Sequence, residues 1–469
     1  GKKFYVNYRG RSGAQAGSLT SKGGKALGRD FRWGGIPNRA TNSNLTTSLG
    51  IMATENGTIV QVFGYDPDCK FRIGNNRGGN TADSFTINLN KGETYVIEAA
   101  KNETTANING WLGASITSNK KIAISNGGLN VGIRTGSQSR DVGIDQPVPT
   151  NVLGREYVFV RGNGANETEF PIIVGTQNGT QVFAGGNLIG TINNGDYLEI
   201  PGSNYSSTSA GASMFVTTSK AAYAFQCLQG KTGNSIQTIG MNFIAPVNCL
   251  LPDSLDEIGN IKNIAGLTNN VSSALTIIAS STTPNANIVV RENGVVVPLP
   301  APVFPAGTTD WKTFFVNNLD GDIDVQSTGP IAVGTFLTDN NNAGMAGYFS
   351  GFDTVPTVEI EITGGGCFPS SDLKETTGGF DAYQWYLNGN PIPGANSDTH
   401  TPTTLGDYYV LVTKGTCSYP SSVASVYNCD PDIVVNKTAD VSAVDEGGNV
   451  TFTITVKSSG INPVTGLVI

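Results

Sequence analysis

The chain has 469 residues, of which 60 are glycine, 14% are charged and 8% are aromatic. Charged residues are well below the roughly 25% of an ordinary soluble domain, so Asn, Ser, Thr and Gly must make the surface polar, which suits short strands and turns rather than long amphipathic helices. The net charge of −8 argues against nucleic acid as a partner, because affinity for phosphates comes largely from cations.

Strand patterns dominate from the first third of the chain onward. The segments GTIVQVFGY, TYVIEAA, EYVFVRG, FPIIVGT, NIVVRENGVVVPL and TFTITVK are apolar or alternate over four to eight residues, and most are bounded by Gly, Pro or Asn-Gly. Asn-Gly supplies the positive φ angles of tight hairpins. No segment of ten residues follows a clean helical period, so the sequence predicts an all-β protein.

One phrase occurs three times, at intervals of about a hundred residues. GASITSNKKIAIS returns as GASMFVTTSKAAYAF and as DVQSTGPIAVGTF with its apolar positions in phase. We expect this phrase to be a hairpin, with TSNKK, TTSKA and STGP as its turn and a buried strand after it. Each repeat offers about seven strands in roughly 100 residues, enough for one two-sheet sandwich.

The repeats predict tandem β-sandwich modules with defined boundaries. Three sandwiches are expected at residues 1–140, 141–245 and 246–357, then an immunoglobulin-like domain at 358–431 and the start of another sandwich at 432–469. The last segment has only about three strands, too few for a closed core. The start, GKKFYVNYRG, has no signal-peptide core and no apolar run is long enough to span a bilayer, so we expect a piece of a longer exported protein.

Residues 358–431 have the pattern of an immunoglobulin-like sandwich. Trp385 is the candidate core tryptophan, and Tyr408 in LGDYYV is a candidate tyrosine corner. Val410 stands where the second bridging cysteine is usual, and the partner strand offers Leu373. Apolar packing is therefore expected in place of the inter-sheet disulfide, with Cys367 and Cys417 as a separate, peripheral pair.

The six cysteines form no C-x-x-C pair, which argues against a zinc site. Together with the abundant Asn and Thr, they favour an oxidising, extracytoplasmic setting. Six cysteines allow 15 pairings, which sequence alone does not separate. Cys227 with Cys249 is the second candidate disulfide, expected to resist unfolding under load.

A glycine-rich N-terminal segment contains the candidate ligand-binding residues. Arg and Trp are favoured at binding hot spots, and the candidates are Tyr8, Arg9, Arg11, Phe31, Arg32 and Trp33, with Trp111 expected to join them in the fold. The alternative is that Phe31 and Trp33 cover the end of a sandwich.

Catalytic and metal-binding patterns are sparse. The single histidine, His400, lies in a turn-like segment, so a histidine-based triad is not expected. Convergent carboxylates of a glycosidase stay an alternative, but we expect no enzyme and no cofactor other than calcium. Hard oxygen ligands for calcium are offered by five aspartates, for which turn formation is the alternative role: Asp66, Asp68, Asp320, Asp322 and Asp324.

The first 355 or so residues resemble the IgGFc-binding N-terminal domain family. The resemblance rests on FYVNYRGRSGAQAGSLTSKG, FRWGGIP, LGIMATENGT, QPVPTNVLGREYVFV and GASITSNKKIAIS. The sequence around QAGSLTSKG and FRWGG is most similar to the version in Bacteroidota surface proteins exported by type 9 secretion. Residues 367–429 resemble the immunoglobulin-like modules of those proteins, and residues 432–469 resemble the opening of the DUF11 repeat.

The resemblance implies a very large cell-surface adhesin, of the SprB type that acts in gliding motility. Its partners would be surface polysaccharide, glycan or protein ligands and other cell-surface proteins, bound by many weak contacts. The antibody ligand in the family name is not transferred to a bacterial version. A structural stalk or docking platform and a surface carbohydrate-active enzyme are the alternatives. The resemblance also implies O-glycosylation of Asp-Ser/Thr-apolar triplets, at Ser254 and Thr354.

Overall fold

The computed structural model describes residues 6–12, 15–136, 140–229, 239–249, 251–262, 271–339, 344–348, 358–414, 417–428, 433–440, 443 and 448–458. Strands account for 52% of the chain, so the prediction of an all-β protein with tandem β-sandwiches is confirmed. Helical segments in these ranges are short 3-10 turns at Gly23–Ala26, Lys101–Glu103, Thr105–Ile108, Thr150–Val152, Gly202–Asn204, Asn285–Asn287 and Thr363–Gly366. No helix in the described ranges is long and apolar enough to cross a membrane. The chain divides into two units, Gly1–Val355 and Pro356–Ile469.

The first sandwich follows an N-terminal hairpin and is built around one long strand. The hairpin and sandwich consist of β1 (Asn7–Ser12), β2 (Gln15–Thr20), β3 (Gly28–Arg32), β4 (Thr46–Ala53), β5 (Thr58–Phe63), β6 (Phe71–Ile73), β7 (Asn76–Asn80), β8 (Ser84–Leu89), β9 (Thr94–Ala100), β10 (Ser115–Val131) and β11 (Asp141–Asp145). The first part of β10 pairs with β3 and β5, and its last part pairs with β4 and β11. One layer therefore has the order β8-β5-β10-β3, and the other has β9-β4-β10-β11.

The local sequence explains this arrangement. In β4, Leu49 and Ile51 face the core while Ser48 and Gly50 are partly exposed, which is the period of two that a strand requires. Gly127 has a φ of 116°, and a Cβ there would lie 2.0 Å from the carbonyl oxygen of Gly143. Glycine is therefore required where the register of β10 shifts and β11 joins it.

The second and third sandwiches repeat one topology. The second has β12 (Glu156–Val160), β13 (Phe170–Gly175), β14 (Thr180–Ala184), β15 (Asn187–Ile192), β16 (Tyr197–Glu199), β17 (Ser213–Thr218), β18 (Ala222–Gln229) and β19 (Ile239–Phe243). The third has β20 (Ser254–Ile258), β21 (Val271–Ser280), β22 (Ile288–Glu292), β23 (Val295–Val297), β24 (Trp311–Asn317), β25 (Ile323–Ser327), β26 (Ile331–Asp339) and β27 (Gly344–Tyr348). Their sheets are β12-β17-β14-β15 with β16-β13-β18-β19, and β20-β25-β22-β23 with β24-β21-β26-β27. The same order describes the first sandwich when β10 is counted once in each layer.

The recurring phrase is a crossover between sheets, so the predicted hairpin is wrong. In the second sandwich the phrase forms β17 and β18, which belong to opposite sheets, and β25 and β26 repeat this in the third. In the first sandwich both parts are one continuous strand, β10. The strand after the turn is buried as predicted, for example at Ala222 and Ala224. A lysine or glycine turn lets the chain change layers as well as reverse within one, and the sequence pattern does not separate the two.

The first sandwich extends beyond its predicted end. Strand β11 begins at Asp141 and pairs with β10, so the predicted boundary between residues 140 and 141 falls one strand too early. The predicted boundary between residues 245 and 246 lies between β19 and β20, and the one between 357 and 358 follows β27.

The three sandwiches share packed surfaces inside the first unit. One cluster of buried residues joins the core of the second sandwich to Ile278 and Trp311 of the third. Another joins Ile36 and Val131 of the first to Phe225 of the second. Edge strand β19 contacts both β11 and β27, and β2 of the hairpin also contacts both β11 and β27. These three sandwiches are therefore not independently packed modules joined only by linkers.

The N-terminal hairpin bridges the first and third sandwiches. The Arg9 guanidinium donates to the carbonyl oxygens of Gly259, at 2.7 Å, and Ile261, at 3.2 Å, beyond the end of β20. The backbone N–H of Ala16 donates to the Asp141 carboxylate of β11 at 2.6 Å, and Ala16 is part of the third sandwich's core.

A buried ion pair follows the hairpin and reaches the second sandwich. Lys22 Nζ lies 3.5 Å from Asp145 Oδ1, and the two side chains are only 4% and 5% exposed. The same carboxylate accepts the backbone N–H groups of Phe243 in β19 and of Gln146, both at 2.8 Å. Burial raises the pKa of Asp145, and Lys22 opposes that rise. We call Lys22 and Asp145 the clasp, because they join the N-terminal segment to both sandwiches.

The second unit contains a smaller sandwich and a strand pair. Its strands are β28 (Ile360–Ile362), β29 (Cys367–Phe368), β30 (Leu373–Glu375), β31 (Ala382–Leu387), β32 (Asn390–Pro391), β33 (Thr399–His400), β34 (Gly406–Lys414), β35 (Cys417–Pro420), β36 (Ala424–Asn428), β37 (Ile433–Ala439) and β38 (Phe452–Ser458). One sheet is β28-β30-β33, and the other is β29-β36-β34-β31-β32 with β35 beside β34. Strands β37 and β38 pair with each other.

The core of the smaller sandwich has the features that the sequence predicts. Trp385 and Tyr408 are buried, and Tyr408 Oη donates to the carbonyl oxygen of Thr404 at 2.8 Å, which is a tyrosine corner. Leu373 and Val410 pack in the same core, where an immunoglobulin domain commonly has its inter-sheet disulfide.

Candidate functional site: clefts between the first two sandwiches

The aromatic residues of the predicted binding cluster belong to a core. Phe31, Trp33 and Trp111 are at most 1% exposed. The rings of Trp33 and Trp111 stack with centroids 4.1 Å apart, and each indole N–H has an acceptor, Ser48 O and Thr47 Oγ1 respectively. A ligand at the surface does not reach these rings. The prediction that they bind ligand is therefore wrong, and the alternative, that they pack inside a sandwich, holds.

The remaining binding candidates, Tyr8 and three arginines, lie in two places. Tyr8, Arg9 and Arg11 lie on β1, where Tyr8 is 70% exposed and Arg9 is bonded to the third sandwich. Arg32 instead lies at the junction of the first two sandwiches. Its guanidinium donates to Ser115 Oγ in β10 and to Asn194 Oδ1 in the second sandwich, the latter at 2.7 Å.

A small cleft with several polar lining residues opens beside Arg32. Its volume is about 290 Å³, and its polar lining includes Asp30, Arg32, Ser115, Thr117, Asn151 and Gln177. We call it the Asp30 cleft. Within the described part of the chain, the Asp30 carboxylate, the Thr117 hydroxyl and the Asn151 and Gln177 side-chain amides have no hydrogen-bond partner. These groups are therefore available to a ligand.

Four elements bring these groups together. Asp30 on β3 stands directly opposite Thr117 on β10 in the antiparallel register. Asn151 belongs to the 3-10 turn that follows Pro149, and Gln177 follows β13 of the second sandwich. A Cβ at Gly28 would lie 2.2 Å from the Pro149 ring, so glycine is needed for the turn to approach β3. The sequence gives no sign of this convergence, because the residues are up to 147 positions apart.

A larger cleft lies at the same junction. Its volume is about 540 Å³, and it is lined by Arg39 and Arg134 of the first sandwich and by Asn166, Glu167 and Glu199 of the second, among others. Arg39 and Glu199 form an ion pair across the junction. Buried Ile133, Phe170 and Ile200 supply an apolar part of the lining. None of these residues is among the sequence candidates, since single charged or apolar residues in loops and strand ends have no distinguishing pattern.

Four of the five aspartates predicted as calcium ligands have protein partners for their carboxylates. Asp66 Oδ1 accepts the backbone N–H of Asp68, which is a turn contact. Asp324 pairs with Arg291 at 2.9 Å, and Asp322 Oδ1 accepts the N–H of Asn260 at 2.6 Å. Asp320 lies 3.8 Å from Lys262 Nζ. Among the described residues, no group of three or more His, Cys, Asp or Glu side chains is arranged to hold a metal.

The cysteines contradict one predicted disulfide. Cys227 is a free, buried thiol, so its predicted pairing with Cys249 is wrong; Cys249 is disulfide-bonded. Cys367 and Cys417 are both disulfide-bonded, and their pairing with each other stays a prediction. Burial raises the pKa of the other free thiol, Cys69, to about 12 and raises that of Cys227 too. Neither thiol is therefore a nucleophile at neutral pH.

One buried acid has a strongly raised pKa but no open site. Burial raises the pKa of Glu169 to about 7. Its carboxylate accepts the N–H groups of Gly162 and Gly164, each at 2.7 Å, in a loop that buried Arg161 also braces. Because Glu169 is completely buried, it holds this loop rather than meeting a substrate.

The protein is all-β, and its first unit consists of three joined sandwiches with two clefts at the junction of the first two. Residues 17–336 match the sequence model of the family described as IgGFc binding protein, from β2 through all three sandwiches into β26. Because the match covers more than half of the chain, the protein belongs to this family, as the resemblance predicts. The family is one of binding, non-enzymatic proteins that are typically extracellular. No curated protein sequence matches the chain.

Proposed function

We propose that the protein is an extracellular, non-enzymatic adhesin of the cell surface that attaches to polysaccharide, glycan or protein ligands. The observation that carries this proposal is the extent of the family match: it spans the three joined sandwiches, and two clefts with mixed polar and apolar linings lie at a junction inside it. Clefts between domains are preferred places for ligands.

The parent protein would be a Bacteroidota adhesin exported by type 9 secretion and used in gliding motility. Residues 358–431 would be an immunoglobulin-like module, which the tyrosine corner and buried Trp385 support. Residues 432–469 would begin a DUF11 repeat, consistent with the antiparallel pairing of β37 and β38. Ser254, partly exposed at the start of β20, would be an O-glycosylation site, whereas Thr354 lies outside the described residues. A calcium site would need ligands besides the described aspartates, because no three of these are grouped to hold a metal ion.

A structural platform for other surface proteins is the second candidate function. The observation that favours it is the rigid construction of the first unit, in which buried contacts and the clasp join three sandwiches. A platform needs no ligand of its own, so the two functions differ in one measurable property.

The test is binding of the full chain to an array of polysaccharides, mucin glycans and surface proteins, with antibody Fc included because the family is described by that ligand. Each arm is run with calcium and then with a chelator. Saturable binding in any arm supports the adhesin. Absence of binding in every arm would contradict it and favour the platform, whose protein partners would then be sought on the same cell.

A further inference from the structure

The Asp30 cleft has a combination of polar groups that restricts its ligand. The Asp30 carboxylate accepts hydrogen bonds only, whereas the Asn151 and Gln177 amides and the Thr117 hydroxyl both donate and accept. All four groups lack a partner among the described residues, and they face one cleft of about 290 Å³. A ligand that satisfies them must itself carry several donors and acceptors at short intervals.

The charges in the Asp30 cleft further restrict the class of ligand. Burial lowers the pKa of the Arg32 guanidinium, and the negative charge of Asp30 opposes that shift, so the two charges lie close enough to interact. An anionic ligand would meet the Asp30 carboxylate, and a cationic one would meet Arg32. A neutral ligand avoids both repulsions and keeps the Arg32 bonds to Ser115 and Asn194 intact.

Size excludes a protein surface from this site. A stable protein–protein interface buries about 1,200–2,000 Å² in total, and a cleft of about 290 Å³ is at the lower limit of small-ligand pockets, about 300 Å³. One or two sugar rings suit this space, whereas a folded partner does not enter it. Phe31 is the aromatic residue in the cleft lining, and it is buried, so ring stacking does not contribute.

We propose that the Asp30 cleft binds a neutral sugar unit of a glycan, with Asp30 accepting hydrogen bonds from adjacent hydroxyls and Asn151, Gln177 and Thr117 completing the contacts. This inference rests on the proposed adhesin function and names its ligand class. Recognition by hydrogen bonds alone makes the site selective for hydroxyl groups, because a missing hydroxyl leaves polar groups of the protein without a partner.

The second sandwich contains a matched control for Asp30. Glu156 on β12 stands opposite Thr217 on β17, as Asp30 stands opposite Thr117. Glu156 is therefore a carboxylate at the same topological position, outside the Asp30 cleft. Asp30, Gln177 and Glu156 are all exposed, so their replacement by alanine leaves the cores unchanged.

The experiment uses the full chain and two sets of immobilised oligosaccharides, one neutral and one matched set ending in sialic acid or uronate. We expect binding to neutral glycans, loss of binding to their deoxy analogues, and about a tenfold weaker affinity for Asp30→Ala and Gln177→Ala, equivalent to one lost hydrogen bond of about 1.4 kcal/mol. Glu156→Ala should bind like the unaltered chain. Thermal unfolding of each variant verifies that it is folded.

Several results would overturn the inference. Preference for the anionic set would contradict the charge argument, and neutral binding that survives both Asp30→Ala and Gln177→Ala would place the sugar elsewhere. Binding to protein ligands without any glycan binding would overturn the inference but leave the adhesin function standing. Binding to no glycan and no protein would overturn both.

Discussion

Replacing Lys22 by methionine should strongly destabilise the first unit. Methionine preserves most of the side-chain volume but leaves the Asp145 carboxylate buried without its cation, which lies 3.5 Å away in the native protein. Removing one partner of a buried ion pair costs about 3–5 kcal/mol. With an unfolding entropy of about 2.1 cal/mol/K per residue over a unit the length of Gly1–Val355, this lowers the unfolding midpoint by roughly 4–7 °C.

The loss should depend on pH, with a sign set by Asp145. Burial raises the folded-state pKa of this carboxyl, so its stabilising contribution is present below the unfolded value near 3.8 and is lost as the pH rises through the folded pKa. Lys22 lowers that pKa, and Lys22→Met raises it further. The difference between variant and unaltered chain should therefore be largest at neutral pH and shrink on acidification, where Asp145 is protonated in both.

The assay is thermal and denaturant unfolding followed by tryptophan fluorescence, at neutral pH and at about pH 4. Lys25→Met is the matched control, because Lys25 lies three residues further along the same segment and has no ion-pair partner among the described residues. If Lys22→Met costs no more than Lys25→Met at neutral pH, the clasp does not hold the unit together and the energetic argument fails.

Three further predictions follow from buried groups and turn contacts. Trp33→Ala should lower the free energy of unfolding by denaturant by about 3–5 kcal/mol, because it leaves a cavity beside Trp111 in a packed core. A loss below about 1 kcal/mol would contradict the stacked arrangement. Because the pKa of Glu169 is raised from 4.5 to about 7, stability should fall by about 3 kcal/mol as the pH rises from 4.5 through 7, and Glu169→Gln should flatten that slope; an unchanged slope would contradict the assignment. Chelation of calcium should leave the unfolding midpoint unchanged, because Asp324 and Asp322 already have protein partners, whereas a fall that added calcium reverses would establish an ion site.

The repeated sandwiches could be predicted because apolar phase survives in sequence. The phrase around Ile122 and its two later copies keeps buried residues at matching positions, so three units of one kind follow directly. The crossover could not be predicted, because a buried strand beside a turn looks the same whether its neighbour lies in the same sheet or the opposite one. The sequence boundary places β11 in the second sandwich for a related reason. Its pairing with β10 depends on three-dimensional contacts that the sequence pattern does not contain.

The cleft could not be predicted in the same way, because local composition does not indicate how deeply a side chain is buried. Trp33 is near Arg32 in sequence, yet alternation along β3 and the segment after it sends the tryptophan ring into the core while Arg32 reaches the junction. The residues that line the Asp30 cleft are ordinary polar residues of turns and strand ends. Only the packing of two sandwiches makes them neighbours, and a single sequence contains no pattern for that packing.

Joined sandwiches change how an adhesin of this kind would gain strength. A flexible string gains affinity by adding linked sites within one chain, but here shared cores and the clasp fix the first and second sandwiches against each other. The cleft between them is thereby formed before the ligand arrives, which reduces the ordering cost of binding. Each chain of such an adhesin would then present one preformed site, and multivalency would come from many copies on one surface rather than from movement between the sandwiches of one copy.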